Sequence, residues 1–243
     1  MRNLGETLYP QLCAVCGESL AEGEDIVCTA CRWGMPLTDY WLQPDNYLTE
    51  LLAARFPFEH ASALMFFMQE SEYRGMIHSM KYHSRRDIAH ALGRLYGYYL
   101  RQSPLYDDVT CLVPVPLHWT KRLKRGYNQS EELCLGMAES MGVRVDSRSL
   151  RRIRRTATQA RKSRSDRWRN VEGAFGVKRP GAFSGGHILL VDDVVTTGST
   201  IEACASAIVR DVEDVRLSVA ALSVVRRTLS ARSDAQIEEL DMA

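Results

Sequence analysis

Residues 187–200 read HILLVDDVVTTGST, and this segment gives the clearest indication of the fold class. Its apolar start predicts a buried strand that ends at two acids, Asp192 and Asp193. A small, hydroxyl-rich loop follows, and a helix is expected from about Ser199 to Arg210. A strand, a short loop and a helix in this order form the repeating unit of α/β proteins, in which ligands bind beyond the carboxyl ends of the strands.

The rest of the chain repeats this alternation of strands and helices. Strands are predicted over residues 59–68, 111–115 and 215–225, and helical segments over residues 73–101 and 129–141. These elements indicate an α/β fold with a mainly parallel sheet flanked by helices. The polar tail after Arg227 is expected to be a loose end or a short helix.

The loop after the acid pair has the chemistry that a phosphate monoester requires. Gly198 allows close backbone approach, and the helix start adds the positive end of a dipole. Hydroxyl donors flank this glycine at Thr196, Thr197, Ser199 and Thr200. Asp192 and Asp193 are placed to accept hydrogen bonds from sugar hydroxyls or to hold a divalent cation. Together they predict a ribose 5-phosphate site. The chain has no Gly-Lys-Ser/Thr loop, so nucleoside triphosphate hydrolysis has little support.

Composition is that of a globular chain, with 45% hydrophobic and 25% charged residues among 243. The formal net charge of +1 by itself excludes a strongly basic or strongly acidic protein. The charge is nevertheless uneven, because residues 119–179 hold 17 Lys or Arg against 6 Asp or Glu. This basic central third indicates an anionic ligand or a nucleic acid as partner.

Four of the seven cysteines form two C-x-x-C pairs, Cys13 with Cys16 and Cys28 with Cys31. This spacing is typical of a zinc ribbon, in which two knuckles supply four thiolates to one Zn²⁺. With four protein ligands the site would be structural. Four unrelated thiols or a redox C-x-x-C are the weaker alternatives, since a redox motif needs only one pair. Too few residues precede position 46 for a hydrophobic core, so the metal would supply folding energy there.

The remaining cysteines and histidines show no ligand spacing. Cys111, Cys134 and Cys204 are expected to be core thiols. Surface positions or satisfied packing are expected for every histidine except His118. No secretory signal and no run of about 20 apolar residues is present. The sequence therefore predicts a soluble, cytoplasmic protein without membrane insertion.

Several motifs together resemble the ComF family (ComFC/GntX-like), in which a zinc ribbon precedes a type I phosphoribosyltransferase domain. The stretch from Val191 to Thr200 is similar to the phosphoribosyl pyrophosphate signature of type I phosphoribosyltransferases. One departure is Lys162, where the family usually has Leu. The other segments that carry the resemblance are Met80–Tyr82, Val113–His118, Lys121–Gln129, Arg155–Gln159 and Arg167–Phe175.

The resemblance implies a zinc-ribbon module over residues 1–45, a domain of type I phosphoribosyltransferase fold over 46–228 and a tail over 229–243. It also implies a phosphoribosyltransferase that binds phosphoribosyl pyrophosphate with Mg²⁺ and acts on an unidentified acceptor. The family is associated with DNA uptake in natural competence. Single-stranded DNA and proteins of the competence machinery are therefore candidate partners.

Residue roles follow from the resemblance. Asp192 and Asp193 would bind the ribose hydroxyls and the associated Mg²⁺, and residues 196–200 would bind the 5-phosphate. Arg122 and Arg125 would stabilise charge on the leaving pyrophosphate. The further substrate-binding candidates are Pro116, Leu117, His118 and Lys121 near the pyrophosphate, and Gln159, Arg167 and Asn170 in a segment over the site, with Arg155, Thr156 and Arg164 beside them.

Alternatives stay open for three of these features. The prolines at 114 and 116 fit a rigid connector as well as a pyrophosphate loop, and the basic segment also fits a solvated helix. A non-catalytic module that binds phosphoribosyl pyrophosphate or single-stranded DNA could use the same fold, with Tyr127 and Trp168 stacking on bases. A glutamine-dependent amidophosphoribosyltransferase is disfavoured, because no cysteine stands at the extreme amino terminus and the chain has no room for a glutaminase domain.

Overall fold

A parallel sheet forms the centre of the protein in the computed structural model, which describes residues 11–117, 119–153 and 173–226. The strands are β1 (Ala61–Phe66), β2 (Cys111–Pro114), β3 (Arg144–Val145), β4 (Leu150–Arg152), β5 (Phe175–Val177), β6 (His187–Val195) and β7 (Arg216–Val224). Five of them form a sheet in the order β1-β7-β6-β2-β3, and every neighbouring pair is parallel. β4 and β5 form a separate antiparallel pair.

Helices cover both faces of this sheet. They are α1 (Thr29–Trp33), α2 (Tyr47–Leu52), α3 (Tyr73–Tyr82), α4 (Arg86–Arg101), α5 (Trp119–Arg125), α6 (Gln129–Met141) and α7 (Ser199–Asp211). Leu189 and Val191 of β6 pack beneath α3, α4 and α6, whereas Ile188 and Leu190 pack against α2 and α7. Burial on both faces explains why β6 begins as a continuous apolar run. The predicted mainly parallel sheet with flanking helices is confirmed.

Three local features differ from the sequence-based expectation. The helical stretch predicted over 73–101 is two helices, because the chain turns at Ser84, which has a φ of 54°. The segment Trp119–Arg125 is a helix that periodicity did not predict. The short β4–β5 pair was also not predicted, since three-residue strands carry too little pattern to read.

Glycines bring α4 and α6 unusually close together. A Cβ atom at Gly136 would lie 2.0 Å from the carbonyl oxygen of His90, and one at Gly93 would lie 2.3 Å from that of Leu133. Only a residue without a side chain allows two helix backbones to approach to this distance. The two helices therefore pack backbone to backbone.

A buried polar cluster lies at the amino ends of β6 and β7. His187 is 2% exposed, and its Nδ1 donates to Asp108 Oδ1 at 2.5 Å while its Nε2 accepts from Ser218 Oγ at 2.8 Å. Ser218 Oγ accepts from the backbone N–H of His60, and Arg216 pairs with Asp108 at 2.6 Å. The order Ser, His, Asp is that of a hydrolase triad, but Ser218 is fully buried, so its hydroxyl cannot reach a substrate. His187 thus has the satisfied packing that the sequence predicted.

The cysteine module packs against α3 and α4, on one face of the sheet. The Tyr73 hydroxyl donates to the Cys31 carbonyl at 2.6 Å, and Asp25 pairs with Arg94 of α4. Ile26 packs against the core beneath these helices. The division near residue 45 stays a prediction. Among the helices that the structure describes, none has the length and apolar character needed to cross a membrane.

Candidate functional site

The acid pair lies near the carboxyl end of β6, at an edge where one neighbouring strand has already ended. β2 pairs with β6 only as far as Pro114, opposite Val191, whereas β7 remains paired to Val195. β6 therefore continues through Asp192 and Asp193 and does not end at them as the sequence analysis expected. Because β2 stops first, β6 is paired only with β7 at the two acids within the described residues, and this end of the sheet is where α/β proteins bind ligands.

Asp192 is buried, with only 9% of the residue exposed. Its Oδ1 accepts hydrogen bonds from Ser130 Oγ at 3.2 Å and from the Asp193 N–H at 2.9 Å. Burial, together with the charge of Asp193, raises the pKa of Asp192 to about 7. A carboxyl group held near neutrality in this way is poised to gain a cation or a hydroxyl donor, either of which would favour its charged form.

Asp193 has a cationic partner inside the protein. Lys81 Nζ lies 3.4 Å from Asp193 Oδ2, and the lysine side chain is 8% exposed. Lys81 belongs to the Met80–Tyr82 segment that carried the resemblance, but no role was predicted for it. One buried cation cannot balance both carboxyl groups once Asp192 is also ionised, so ionisation of Asp192 favours the binding of a further cation.

The loop after β6 has the expected form of an anion site. Gly198 has a φ of 77° and stands at the amino terminus of α7, and no side chain among the described residues caps that helix. Its first backbone N–H groups thus have no side-chain acceptor within the described part of the chain. Thr197 Oγ1 lies 3.0 Å from Ser199 Oγ, and Thr196 and Thr200 complete the hydroxyl-bearing loop.

The two predicted catalytic arginines lie in different surroundings. Arg122 on α5 is 59% exposed in its side chain and lies 4.0 Å from Glu131. Arg125, at the end of the same helix, is 6% exposed, donates to Gln129 Oε1 at 3.3 Å and stacks over the Tyr82 ring. Arg125 therefore stands on the flank of the Lys81 segment, and Arg122 faces outward.

The remaining predicted binding residues fall into three groups. Pro116 and Leu117 are half-buried directly after β2, where Val115 donates its backbone N–H to the Val191 carbonyl. Lys121 lies in α5, and its side chain is outside the described residues. Also outside the described residues are His118, Arg155, Thr156, Gln159, Arg164, Arg167, Trp168 and Asn170.

Tyr127 does not have the exposed ring that stacking on bases requires. It is 4% exposed, and its hydroxyl donates to the Met80 carbonyl at 2.5 Å. Burial raises its pKa to about 12. Tyr127 instead fixes the turn after α5 to the end of α3, because its ring also lies beneath the guanidinium of Arg86.

Sequence reasoning missed Ser130 and Arg55. Ser130 follows directly on the Lys121–Gln129 segment, and the Asn128 cap that starts α6 brings it to Asp192. Arg55 donates to the Thr197 carbonyl at 2.9 Å across 142 positions of sequence. No local pattern could have indicated such a contact, because it exists only once the sheet has formed.

The second candidate site is the cysteine cluster, which forms as predicted. The sulfurs of Cys13, Cys16, Cys28 and Cys31 all lie within 4.8 Å of one another, and those of Cys16 and Cys28 are 3.8 Å apart. Zn–S bonds of about 2.3 Å in a tetrahedron separate the sulfurs by about 3.8 Å. The four residues therefore fit a tetrahedral metal ion.

The backbone around the cluster favours the thiolate form of Cys13, although burial and the neighbouring cysteines raise the pKa of Cys31. The Cys28 N–H donates to Cys13 Sγ at 3.3 Å, and Gly17 turns the first knuckle with a φ of 78°. Although burial acts to raise the pKa of Cys13, backbone hydrogen bonds lower it to about 6. A thiolate stabilised by N–H groups is the form that binds metal.

The fold and the acid-pair edge define an α/β protein with a candidate anion site between a strand and a helix, and with an added four-cysteine module. No family model matches the chain. It is 39% identical over 142 residues to the DNA utilization protein YhgH of Salmonella typhi, covering 56% of this chain, and 37% identical over 139 residues to YhgH of Escherichia coli K12. It is also 34% identical over 91 residues to competence protein F of Haemophilus influenzae, covering 37% of this chain and 40% of that protein. The resemblance to the ComF family is thus confirmed as a similarity in sequence. The match spans 60% of the length of the YhgH proteins.

Solved structures give weaker similarities. A structure of the allosteric regulatory enzyme of purine biosynthesis matches with a TM-score of 0.39 and 19% identity, over 59% of this chain and 30% of that one. The glutamine phosphoribosylpyrophosphate amidotransferase of B. subtilis matches with a TM-score of 0.38 and 20% identity over the same shares.

Proposed function

We propose that this protein binds phosphoribosyl pyrophosphate with Mg²⁺ in a phosphoribosyltransferase-like site and acts in DNA uptake. The observation that carries the proposal is that the Asp192–Asp193 pair, of which Asp192 is buried, is followed by a short loop that leads into the uncapped start of α7. One end of this site suits hydroxyl groups and a cation, and the other suits a phosphate. A ribose 5-phosphate carries these two kinds of group at opposite ends.

Each described residue has a role in this proposal. Asp192 and Asp193 accept hydrogen bonds from the ribose hydroxyls, and the Thr196–Thr200 loop holds the 5-phosphate. The segment at Pro116 and Leu117 approaches the pyrophosphate, with Arg122 and Arg125 as nearby cations. Mg²⁺, when bound with the ligand, supplies further positive charge to the pyrophosphate. Lys81 pairs with Asp193 and so positions this acid at the site.

The proposed reaction is transfer of the ribosyl group. The bond between the ribosyl anomeric carbon and the pyrophosphate oxygen breaks, pyrophosphate leaves with the bonding electrons, and a nucleophile of the acceptor forms the new bond to that carbon. Cations brought to the leaving pyrophosphate would stabilise the charge that grows on it. Release of pyrophosphate with a panel of bases, amines and DNA would identify the acceptor.

Replacement of Asp192 and Asp193 together by Asn tests the site. We expect the affinity for phosphoribosyl pyrophosphate with Mg²⁺, measured by isothermal titration calorimetry, to fall by at least roughly a hundredfold, because several charged hydrogen bonds are lost. The matched control is Asp108→Asn, at the opposite end of the sheet, which should bind phosphoribosyl pyrophosphate with unchanged affinity. An affinity unchanged by the double substitution contradicts the assignment.

A second candidate is a module that binds the same ligand or single-stranded DNA without turnover. The exposed Arg122 on the basic helix α5 and the names of the sequence relatives favour it. We expect Arg122→Glu to weaken binding of a single-stranded oligonucleotide and to lower the slope of affinity against salt by about 1. Arg101→Glu, at the far end of α4, is the control. Absence of DNA binding at moderate salt excludes the DNA-binding form of this candidate.

For the cysteine cluster we propose a structural zinc ion, because all four tetrahedral positions are filled by protein ligands. The proposal includes the division of the chain into a ribbon over residues 1–45, a domain over 46–228 and a tail over 229–243, and a cytoplasmic location that keeps the thiols reduced.

A further inference from the structure

Arg55 contacts the Thr196–Thr200 loop that follows the acid pair. It follows α2, and its Nη1 donates both to the Thr197 carbonyl at 2.9 Å and to Glu202 Oε2 at 3.1 Å. The side chain is 27% exposed. A single guanidinium thus joins the loop to the first turn of α7, where the Glu202 N–H bonds to the Gly198 carbonyl.

The contact with Thr197 fixes the orientation of one peptide group. The carbonyl of Thr197 and the N–H of Gly198 belong to the same planar trans peptide, so they point in opposite directions. With the carbonyl held by Arg55, the Gly198 N–H is directed to the other side of the loop. Gly198 cannot be replaced without strain, because its φ is 77° and an added Cβ would lie 2.8 Å from Leu52 Cδ2.

The contact with Glu202 removes an electrostatic conflict. Glu202 is an acidic residue in the first turn of α7, at the helix end that the proposed phosphate would approach. An unpaired carboxylate there would repel a phosphate dianion and offset the favourable helix dipole. Arg55 pairs this carboxylate on the outer side of the loop.

We propose that Arg55 is a positioning residue that selects for a 5-phosphate, by orienting the Thr197–Gly198 peptide and neutralising Glu202. This inference rests on the proposed function, because it assumes that the loop binds the phosphate of a ribose 5-phosphate unit. Arg55 acts through the loop and need not touch the ligand itself.

The test compares two ligands that would occupy different parts of the proposed site. Ribose 5-phosphate and pyrophosphate with Mg²⁺ are titrated separately into the full chain by calorimetry. We expect Arg55→Met to weaken ribose 5-phosphate roughly tenfold or more and to change pyrophosphate affinity by less than about twofold. Arg55→Lys should recover part of the loss, since it keeps the charge and one donor.

A double substitution separates positioning from general damage. In Arg55→Met the Glu202 carboxylate loses this partner, so adding Glu202→Gln should restore part of the ribose 5-phosphate affinity. Arg101→Met is the matched control, because Arg101 also donates to a backbone carbonyl, that of Ser140, far from the loop. It should leave both affinities unchanged.

Distinct outcomes overturn the two proposals. If wild-type protein binds ribose 5-phosphate and Arg55→Met binds it equally well, the role of Arg55 is wrong while the proposed function stands. The role is also wrong if Arg55→Met weakens both ligands to the same extent. If wild-type protein binds neither ribose 5-phosphate nor phosphoribosyl pyrophosphate, the proposed function fails, and the role of Arg55 fails with it.

Discussion

The two ends of the central sheet both hold carboxyl groups with neighbouring hydroxyls, yet they differ in burial and in how completely charge is matched: the Asp108 side chain is exposed, whereas Asp192 is buried. At the amino ends, both ring nitrogens of His187 have partners, and Asp108 is paired with Arg216. At the carboxyl ends, two adjacent acids share one lysine, and the pKa of Asp192 is raised. A cluster whose charges are all paired stabilises the fold, whereas a cluster whose charges are not fully paired can bind a ligand.

The largest effect on stability is expected from His187→Ala. This change leaves the Ser218 hydroxyl and one Asp108 oxygen without their ring partner and creates a small cavity. We expect the free energy of unfolding in urea to fall by about 2–4 kcal/mol, with unchanged affinity for phosphoribosyl pyrophosphate. His90→Ala on the surface of α4 is the control and should cost less than about 0.5 kcal/mol. Equal costs for the two variants would remove the distinction between the ends of the sheet.

Asp192→Asn should raise the free energy of unfolding, which is the opposite of the effect expected for His187→Ala. Its amide oxygen can still accept from Ser130, but the charge that is costly to bury beside Asp193 is gone. We expect the free energy of unfolding at pH 8 to rise by about 1–3 kcal/mol, since each pKa unit corresponds to about 1.4 kcal/mol. Ligand affinity should fall at the same time. A variant that is both less stable and unaltered in binding would show that Asp192 is structural.

The pH dependence should also run in opposite directions at the two ends. The pKa of Asp192 is about 7 in the folded chain and about 3.9 in an unfolded one, so its contribution to stability falls as pH rises from about 4 to about 7. Although burial acts to raise the pKa of Asp108, its bonds to His187 and Arg216 lower it. The stability that Asp108 contributes is therefore present above its pKa in the unfolded chain, and it is lost as the pH falls through its pKa in the folded chain.

Urea unfolding of the wild type, Asp192→Asn and Asp108→Asn between pH 3 and pH 8 measures both contributions. The difference between wild type and Asp192→Asn should shrink as pH falls, and that between wild type and Asp108→Asn should shrink in acid. Parallel curves for all three proteins would contradict the opposite titration of the two carboxyl groups.

The smallest effect on either end of the sheet is expected from removal of the metal. Chelation should abolish protection from hydrogen exchange in the ribbon around Cys13 and Cys28, because that module has little core of its own. Amides of β6 and β7 should keep their protection, since their contacts are with the sheet. Zinc content near zero in protein purified under reducing conditions would overturn the zinc assignment.

How much the sequence could predict depended on the distance over which each feature is encoded. The strand, loop and helix around Asp192–Gly198 and the cysteine pairs are local patterns, and the structure contains both. The extension of β6 past the acids was not predictable, because it depends on pairing with β7 after β2 has ended. Arg55 and Lys81 meet the site only through the tertiary fold, so no spacing rule indicates them.

The close contact between α4 and α6 has a consequence for how the site tolerates mutation. Gly136 lies in the same helix as Ser130, two turns further along, so the depth of that glycine against His90 sets where the Ser130 hydroxyl stands relative to Asp192. A single methyl group at position 136 would lift the helix and lengthen that hydrogen bond. The absence of a side chain at one helix position thus affects the surroundings of an acid that lies on a different element.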